Sequence, residues 1–337
     1  MPEPSGKLRI GVVGTGSLGF HHARILRDVA QTEMKGFFET RPERADEVNR
    51  ELGIESHDTL ESLLDRVDAL VVAVPTVAHE AVSVPALERG VHVLIEKTMA
   101  PDLDAADRIL QAAQGAGALV QIGHVERFNP AILAASEYLE SPLFIESHRI
   151  APFVPRSTDV AVVLDLMIHD VDLVCGLVGH PIEDIAAAGL PVLTPNVDIA
   201  NARLTFEGGA VANLTASRVS LERMRKLRIF QRSGYLSLNL ADGTGEFLRL
   251  KENLPSFSGA SGFLDGIPEG GMEALIERIP LQGERVEPLR SELESFRDAC
   301  LGHRKPAVSG TDGREALAVT LSIEDRIRSH VAHSHPA

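Results

Sequence analysis

The sequence predicts an α/β protein of two domains, a parallel sheet wrapped by helices followed by an α+β domain with an open, mostly antiparallel sheet. Three observations carry this. The chain has 337 residues, more than one core usually serves at roughly 100 to 200 residues per domain. Its first part alternates short, near-continuous Val/Leu/Ile runs with helical patterns, as strands buried on both faces require. Its later part holds alternating runs separated by Gly208-Gly209 and Ser233-Gly234, which signal antiparallel hairpins.

Leu8 to Val13 is an apolar run too short for a helix, and Gly14 to Gly19 (GTGSLG) turns from it into a helical pattern carrying Ala23, Ile25 and Leu26. Lys35 to Phe38 forms the next strand, stopped by Glu39-Thr40-Arg41-Pro42. Residues 69 to 74 end at Pro75-Thr76, and Val77 to Arg89 follow as a helix with Thr76 as its N-cap. Val91 to Ile95 runs into Glu96-Lys97, Leu103 to Ala116 is helical, and Ala118 to Ile122 is expected as a sixth strand. Beyond it, residues 143 to 152 read as extended and 159 to 178 as helical. Strands follow within 184 to 240, among them Ala202 to Phe206, Val211 to Ser217 and Leu227 to Gln231. Residues 251 to 288, rich in Gly, Pro and Ser, read as a surface excursion, and helical patterns near Glu292 to Cys300 and Arg314 to Arg328 close the chain. The expected domains are 1–125 and 126–337, with the last helix able to pack back on the first.

Composition narrows the function classes. With 33 Lys+Arg against 48 Asp+Glu, the net charge of −15 opposes non-specific nucleic-acid binding, and no basic stripe overrides it. Cys175 and Cys300 are the only cysteines, which excludes a disulfide framework or a four-cysteine zinc site and suits a reducing compartment. No apolar run approaches the ~20 residues needed to span a bilayer, and Met1 to Ile10 has no signal-like core. A cytoplasmic protein with neither membrane nor nucleic-acid partners is expected. His330, His333 and His335 read as a frayed polar end, and no metal site is expected.

The chemistry concentrates in two stretches. A Gly-x-Gly-x-x-Gly joining strand to helix predicts a Rossmann dinucleotide-binding domain. Gly14 permits the tight turn, Gly16 lets the backbone approach a pyrophosphate, Gly19 allows close helix packing, and Ser17 and Leu18 open the helix whose free N–H groups face the anion. Glu39, 20 residues beyond Gly19, stands where a carboxylate accepts from the ribose 2′-OH. That favours NAD, while neighbouring Thr40 and Arg41 leave NADP open, because a guanidinium there pairs with a 2′-phosphate or stacks on adenine. The Pro75-Thr76 loop with His79 reads as a further cofactor contact. Glu96 and Lys97 sit at the carboxyl end of a strand, where ligands bind in open parallel sheets. In the second stretch, Asp165 and His169 share one face of an apolar helix at i, i+4 with Asp172 beside them. Such polar groups are costly to bury unless paired or turned toward a wet cleft. His21 and His22 read as packing, or a weak anion contact, near the glycine turn.

Taken together, Gly14 to Gly19, Glu96-Lys97-Thr98, Gly123-His-Val-Glu-Arg-Phe128 and Asp165-x-x-x-His169 resemble the Gfo/Idh/MocA oxidoreductases over nearly the whole chain. Thr98 stands where that family usually has proline. The resemblance implies a Rossmann domain, a second domain whose sheet makes subunit contacts, and a homodimer or homotetramer. It also implies Lys97 as the family's catalytic lysine, His169 as the acid/base and Asp165 as its companion. Gly123 to Pro130 with Leu164 to Asp170 is similar to the subgroup acting on UDP-N-acetylhexosamines, notably UDP-N-acetylglucosamine 3-dehydrogenases. The implied reaction oxidises a sugar hydroxyl to a ketone by hydride transfer to NAD(P). Arg127, Asn129, Arg149 and Arg156 are the candidate donors to a substrate diphosphate, with Arg127 also near the cofactor. A free sugar, inositol or other polyol is the alternative substrate, and a catalytically silent NAD(P)-bound sensor is the alternative of another class.

Overall fold

The apolar runs of the first half become five parallel strands in a computed structural model that describes residues 6–154, 160–251 and 271–334. They are β1 (Leu8–Val13), β2 (Thr32–Phe38), β3 (Ala69–Val72), β4 (His92–Glu96) and β5 (Val120–Gly123), in the order β2-β1-β3-β4-β5. Every residue of β3 is buried, as a strand covered on both faces requires. The covering helices are α1 (Ser17–Leu26), α2 (Pro42–Leu52), α3 (Leu60–Leu64), α4 (His79–Glu88) and α5 (Leu103–Ala116).

Two expectations are corrected here. The sheet has five strands and not six: the five apolar runs each form one, and the chain between β2 and β3 is taken up by α2 and α3. Pro42 starts α2 at its first turn, where the missing N–H costs nothing, and Thr59 caps α3 by accepting from the Ser62 N–H at 3.1 Å. Residues 55–57 reach the sheet, as a bridge of Ser56 to Phe37 bonded through the Glu55 carbonyl and the His57 N–H. Thr76 does not cap the fourth helix. Thr76–Ala78 first form a 3-10 turn closed by Ala78 N–H to the Pro75 carbonyl at 2.8 Å, and α4 begins at His79 with Ala78 before it.

The chain falls into two compact units, 1–128 with 286–321, and 129–285 with 322–337. Helix α8 (Pro288–Cys300) joins the first unit because its apolar stripe belongs to that core. Leu293 and Phe296 are fully buried in one cluster with Leu8, Ile10, Ile25, Leu26 and Phe37. Helix α9 (Gly310–Ser334) runs from the first unit into the second.

The second unit is built on an eight-stranded sheet. Its strands are β6 (Phe144–Pro152), β7 (Ile182–Leu190), β8 (Ile199–Phe206), β9 (Val211–Ser220), β10 (Met224–Gln231), β11 (Gly234–Asn239), β12 (Thr244–Leu250) and β13 (Ile276–Gln282). The order is β13-β12-β11-β10-β6-β9-β8-β7, antiparallel throughout except where β6 meets β9. Alternating burial along β8 marks one covered and one open face. Strand β13 corrects the expected surface excursion: residues 276–282 pair along β12, and Pro280 is tolerated because β13 lies at the sheet's edge. Residues 252–270 lie outside the described residues. The expected helix over 159–178 is two segments, a π-helical turn at Val163–Met167 followed by α7 (Ile168–Val178), while 155–159 lie outside the described residues. Before them stands α6 (Pro130–Ala135).

Truncating Phe296 to alanine removes a wholly buried aromatic from the core of the first unit and is expected to cost about 3–5 kcal/mol. Denaturant unfolding should then show that unit melting at lower denaturant. An unchanged midpoint would show that α8 is not part of that core.

Candidate active site

The chain leaves β1, travels outward to β2, then returns to β3 on the other side of β1, so the sheet order reverses at the carboxyl end of β1. Open α/β sheets bind ligands at such a reversal. Gly14 follows β1 with φ +80°, a conformation that only glycine adopts cheaply, and its N–H donates to the Phe38 carbonyl at 2.9 Å. Gly19 is buried one turn into α1, and a Cβ there would collide with the Gly14 carbonyl oxygen. At Gly16 an added Cβ would meet nothing within 4 Å, so the backbone before α1 faces open space. No side chain caps α1, and Ser17 and Leu18 are exposed, leaving the first-turn N–H groups as donors to an anion. These residues fit a dinucleotide pyrophosphate.

Glu39 closes the cradle at the end of β2. Its carboxylate accepts from the Thr15 N–H at 2.9 Å and the Thr15 hydroxyl at 3.2 Å, and from the Arg41 Nε and Nη2 at 3.0 and 3.1 Å. Burial pushes its pKa up, but the Arg41 guanidinium and the N–H groups of Thr15 and Arg41 outweigh that and hold it at about 2. Thr40 and the Arg41 side chain are exposed. Arg44, which sequence reasoning missed, donates from Nε to the Thr15 carbonyl at 2.7 Å and lies over the Phe20 ring, 5.2 Å from its centroid. The available signal was a second arginine one helical turn after Arg41, directly behind an acidic strand end.

At the carboxyl end of β3, Pro75 is exposed and Thr76 half-buried. His79 is buried, with Nδ1 3.2 Å from the Met99 carbonyl and Nε2 3.0 Å from the Val74 carbonyl, so its ring ties the loops after β3 and β4 together. Burial holds that imidazole below its usual range. Glu96 ends β4, and its Oε2 accepts from the Lys97 N–H at 3.2 Å while Oε1 lies 2.6 Å from His22 Nε2 on α1. Burial pushes the Glu96 carboxyl up, but the His22 hydrogen bond and the Lys97 N–H prevail and bring it below the ordinary carboxylate range. Lys97 is half-buried, and the Lys97–Thr98 peptide is cis. Sequence reasoning gave His22 no such role, since its partner lies 74 positions away.

In the second unit Asp165 sits within the π-helical turn and His169 in the first turn of α7, both half-buried. π turns are rare and recur at functional sites. Asp170 and Asp172 are buried, and Asp170 takes a bidentate pair from Arg149 of β6, with Nε and Nη2 each at 2.9 Å. Arg149 is therefore engaged within its own unit. Asn129 caps α6, accepting from the Ala131 N–H at 3.1 Å and donating to the Leu240 carbonyl at 2.8 Å. Arg127 is half-buried on a 3-10 turn after β5, and Arg156 lies outside the described residues.

Among the described residues one group of side chains has the types and spacing to ligate a metal: His22, Glu96 and Glu292, all buried, with one ligating atom from each within 4.8 Å of the others. No helix in the described residues is long and apolar enough to cross a membrane.

Comparison with known proteins agrees with this geometry. The model of an oxidoreductase family with an NAD-binding Rossmann fold matches residues 8–124, and that of the GFO/IDH/MocA C-terminal domain matches residues 147–237. The chain is 36% identical over 321 residues to a UDP-N-acetylglucosamine 3-dehydrogenase of Acidithiobacillus ferrooxidans, covering 94% of this chain and 96% of that one. An inositol 2-dehydrogenase of Rubrobacter xylanophilus is 31% identical over 234 residues, covering 65% of this chain and 67% of that one. The solved structure of the Acidithiobacillus enzyme superposes with a TM-score of 0.85 at 34% identity, covering 96% of this chain and 98% of that chain. Family models that reach both units, together with a relative similar across almost its full length, establish that this chain is an NAD-binding dehydrogenase of the Gfo/Idh/MocA family.

Proposed function

We propose that the chain oxidises the C3 hydroxyl of a UDP-N-acetylhexosamine, with UDP-N-acetylglucosamine the first candidate. The observation that carries this is the 36% identity to the UDP-N-acetylglucosamine 3-dehydrogenase, which extends through the second unit to 94% of the chain. Free inositols are the second reading, favoured by relatives named inositol 2-dehydrogenases, whose similarity at 30% identity or more covers 53 to 65% of the chain.

NAD would be held by the Gly14–Gly19 turn, the first turn of α1 and Glu39, and would supply the hydride acceptor for the carbon-bound hydrogen of the alcohol. The chain's own residues do the rest. His169 takes the hydroxyl proton, Lys97 donates to the same oxygen and stabilises its growing negative charge, and Asp165 orients His169. Loss of one proton and one hydride turns the carbinol into a ketone. Arg127 is the donor proposed for the substrate diphosphate.

Glu39 sets the cofactor preference. An ionised carboxylate accepts from a ribose 2′-OH and repels a 2′-phosphate. The donors from Thr15 and Arg41 already converge on its two oxygens, so a ribose hydroxyl takes its place by displacing the exposed Arg41 side chain. Assembly into homodimers or homotetramers through the eight-stranded sheet completes the proposal, supported by exposed Leu190, Val192, Leu193 and Ile199 on β7, β8 and their connection.

Three measurements test this reading. Reduction of NAD, followed at the reduced-cofactor absorbance, should require UDP-N-acetylglucosamine and fail with free inositols. Turnover of inositols alone would replace the substrate assignment. Lys97→Met should keep NAD affinity, read by fluorescence titration, and lose about 10²- to 10³-fold in kcat. Undiminished turnover would remove Lys97 from the chemistry. Glu39→Gln should weaken NAD binding about tenfold or more and narrow the preference over NADP, by loss of a hydrogen bond to a charged group. Equal affinities for both cofactors in the native enzyme would contradict the role given to Glu39.

A further inference from the structure

We infer that His22 and Glu96 form a positioning pair for Lys97, holding the lysine's backbone from the helix that cradles the cofactor. The inference rests on the proposed part of Lys97 in turnover. His22 lies on α1 three residues after Gly19 and is wholly buried. Its Nε2 lies 2.6 Å from Glu96 Oε1, and the other oxygen of the same carboxylate accepts the Lys97 N–H at 3.2 Å. Among the described residues His22 Nδ1 has no hydrogen-bond partner, so its Nε2 contact with Glu96 is what fixes the ring. An ionised carboxylate can only accept, which makes Nε2 the donor in this contact.

The surroundings make this contact consequential. A second buried acidic side chain, Glu292 of α8, offers an oxygen within 4.8 Å of the pair. The His22 contact occupies one oxygen of Glu96 and leaves the other turned toward the Lys97 N–H. Gly123 at the end of β5 leaves the room: a Cβ there would come 3.2 Å from Glu96 Oε2. A pair that served stability alone would have no need to sit one residue before the proposed catalytic lysine or to bond that lysine's own N–H. Because an error of about 1 Å at a reacting group costs up to 10²-fold, the pair's effect falls on turnover and not on cofactor binding.

The test compares His22→Leu, His22→Gln, Glu96→Gln, Lys97→Met and the His22→Leu/Lys97→Met double variant, using NAD and UDP-N-acetylglucosamine. His22→Leu is expected to lower kcat about 10- to 100-fold with the Kd for NAD changed less than about twofold. Gln, whose amide still donates, should restore most of that loss. In the Lys97→Met background His22→Leu should cost nothing more, as for two residues acting through one group. Should His22→Leu fail to fold, Glu96→Gln carries the same expectation, since it keeps the shape and removes the charge. Unchanged kcat in folded His22→Leu or Glu96→Gln, or a loss that multiplies fully with that of Lys97→Met, would overturn the positioning role and leave a structural pair. Wild-type turnover in Lys97→Met would instead overturn the catalytic reading on which the inference stands.

Discussion

The candidate site depends on how closely α1 lies against β1. A side chain at position 19 would overlap the Gly14 carbonyl, so only glycine lets the helix come down onto the turn that precedes it. That approach has two consequences on one helix. The uncapped first turn faces the open space before Gly16, where an anion finds N–H donors and the positive end of the helix dipole. One turn further, the same face of α1 delivers His22 to the buried carboxylate of Glu96. A helix held farther out would forfeit the anion site and break the contact behind Lys97 together.

Both units place a buried, anchored carboxylate next in sequence to a proposed catalytic side chain. Glu96 precedes Lys97 and is held by His22, while Asp170 follows His169 and is held by Arg149 through two hydrogen bonds of 2.9 Å. Burying an unpaired charge is costly, and a pair with good geometry offsets that cost without much net stabilisation. Pairs of this kind are therefore better understood through the conformations they exclude than through the stability they add. Each ties the backbone beside a functional residue to a different element, α1 in one unit and β6 in the other, so that a half-buried side chain is carried on a fixed base.

How much of this was readable from sequence depended on distance along the chain. The glycine turn and the strand that leads into Glu96-Lys97 are local patterns, and the structure realises both as local features. The His22–Glu96 and Arg149–Asp170 contacts join residues 74 and 21 positions apart and leave no periodic trace. The π turn around Asp165 escaped for another reason: it inserts into an apolar helical run without changing its composition. Strand β13 was hidden within a stretch rich in Gly, Pro and Ser, and its own Pro280 is accommodated because the strand lies at the sheet's edge. Helix α8 was visible as a helix, whereas its place in the first core was not, because Leu293 and Phe296 meet β1 and α1 only after nearly the whole chain has intervened.

The charge distribution follows the same division between local and global. A chain of net charge −15 gives an anionic dinucleotide no long-range attraction, so attraction must come from donors within contact. The structure concentrates them at one end of the sheet: the free N–H groups of α1, Arg41 and Arg44 beside the β2 end, and Lys97 after β4. Each basic side chain near the β2 end is tethered to the cradle, Arg41 to Glu39 and Arg44 to the Thr15 carbonyl. Glu39, its pKa held at about 2, puts a negative charge among those cations. In the proposed site a pyrophosphate meets the helix terminus while Glu39 repels a further phosphate on the ribose, so the proposed selectivity rests on one carboxylate placed among several cations and not on the sign of the surface as a whole.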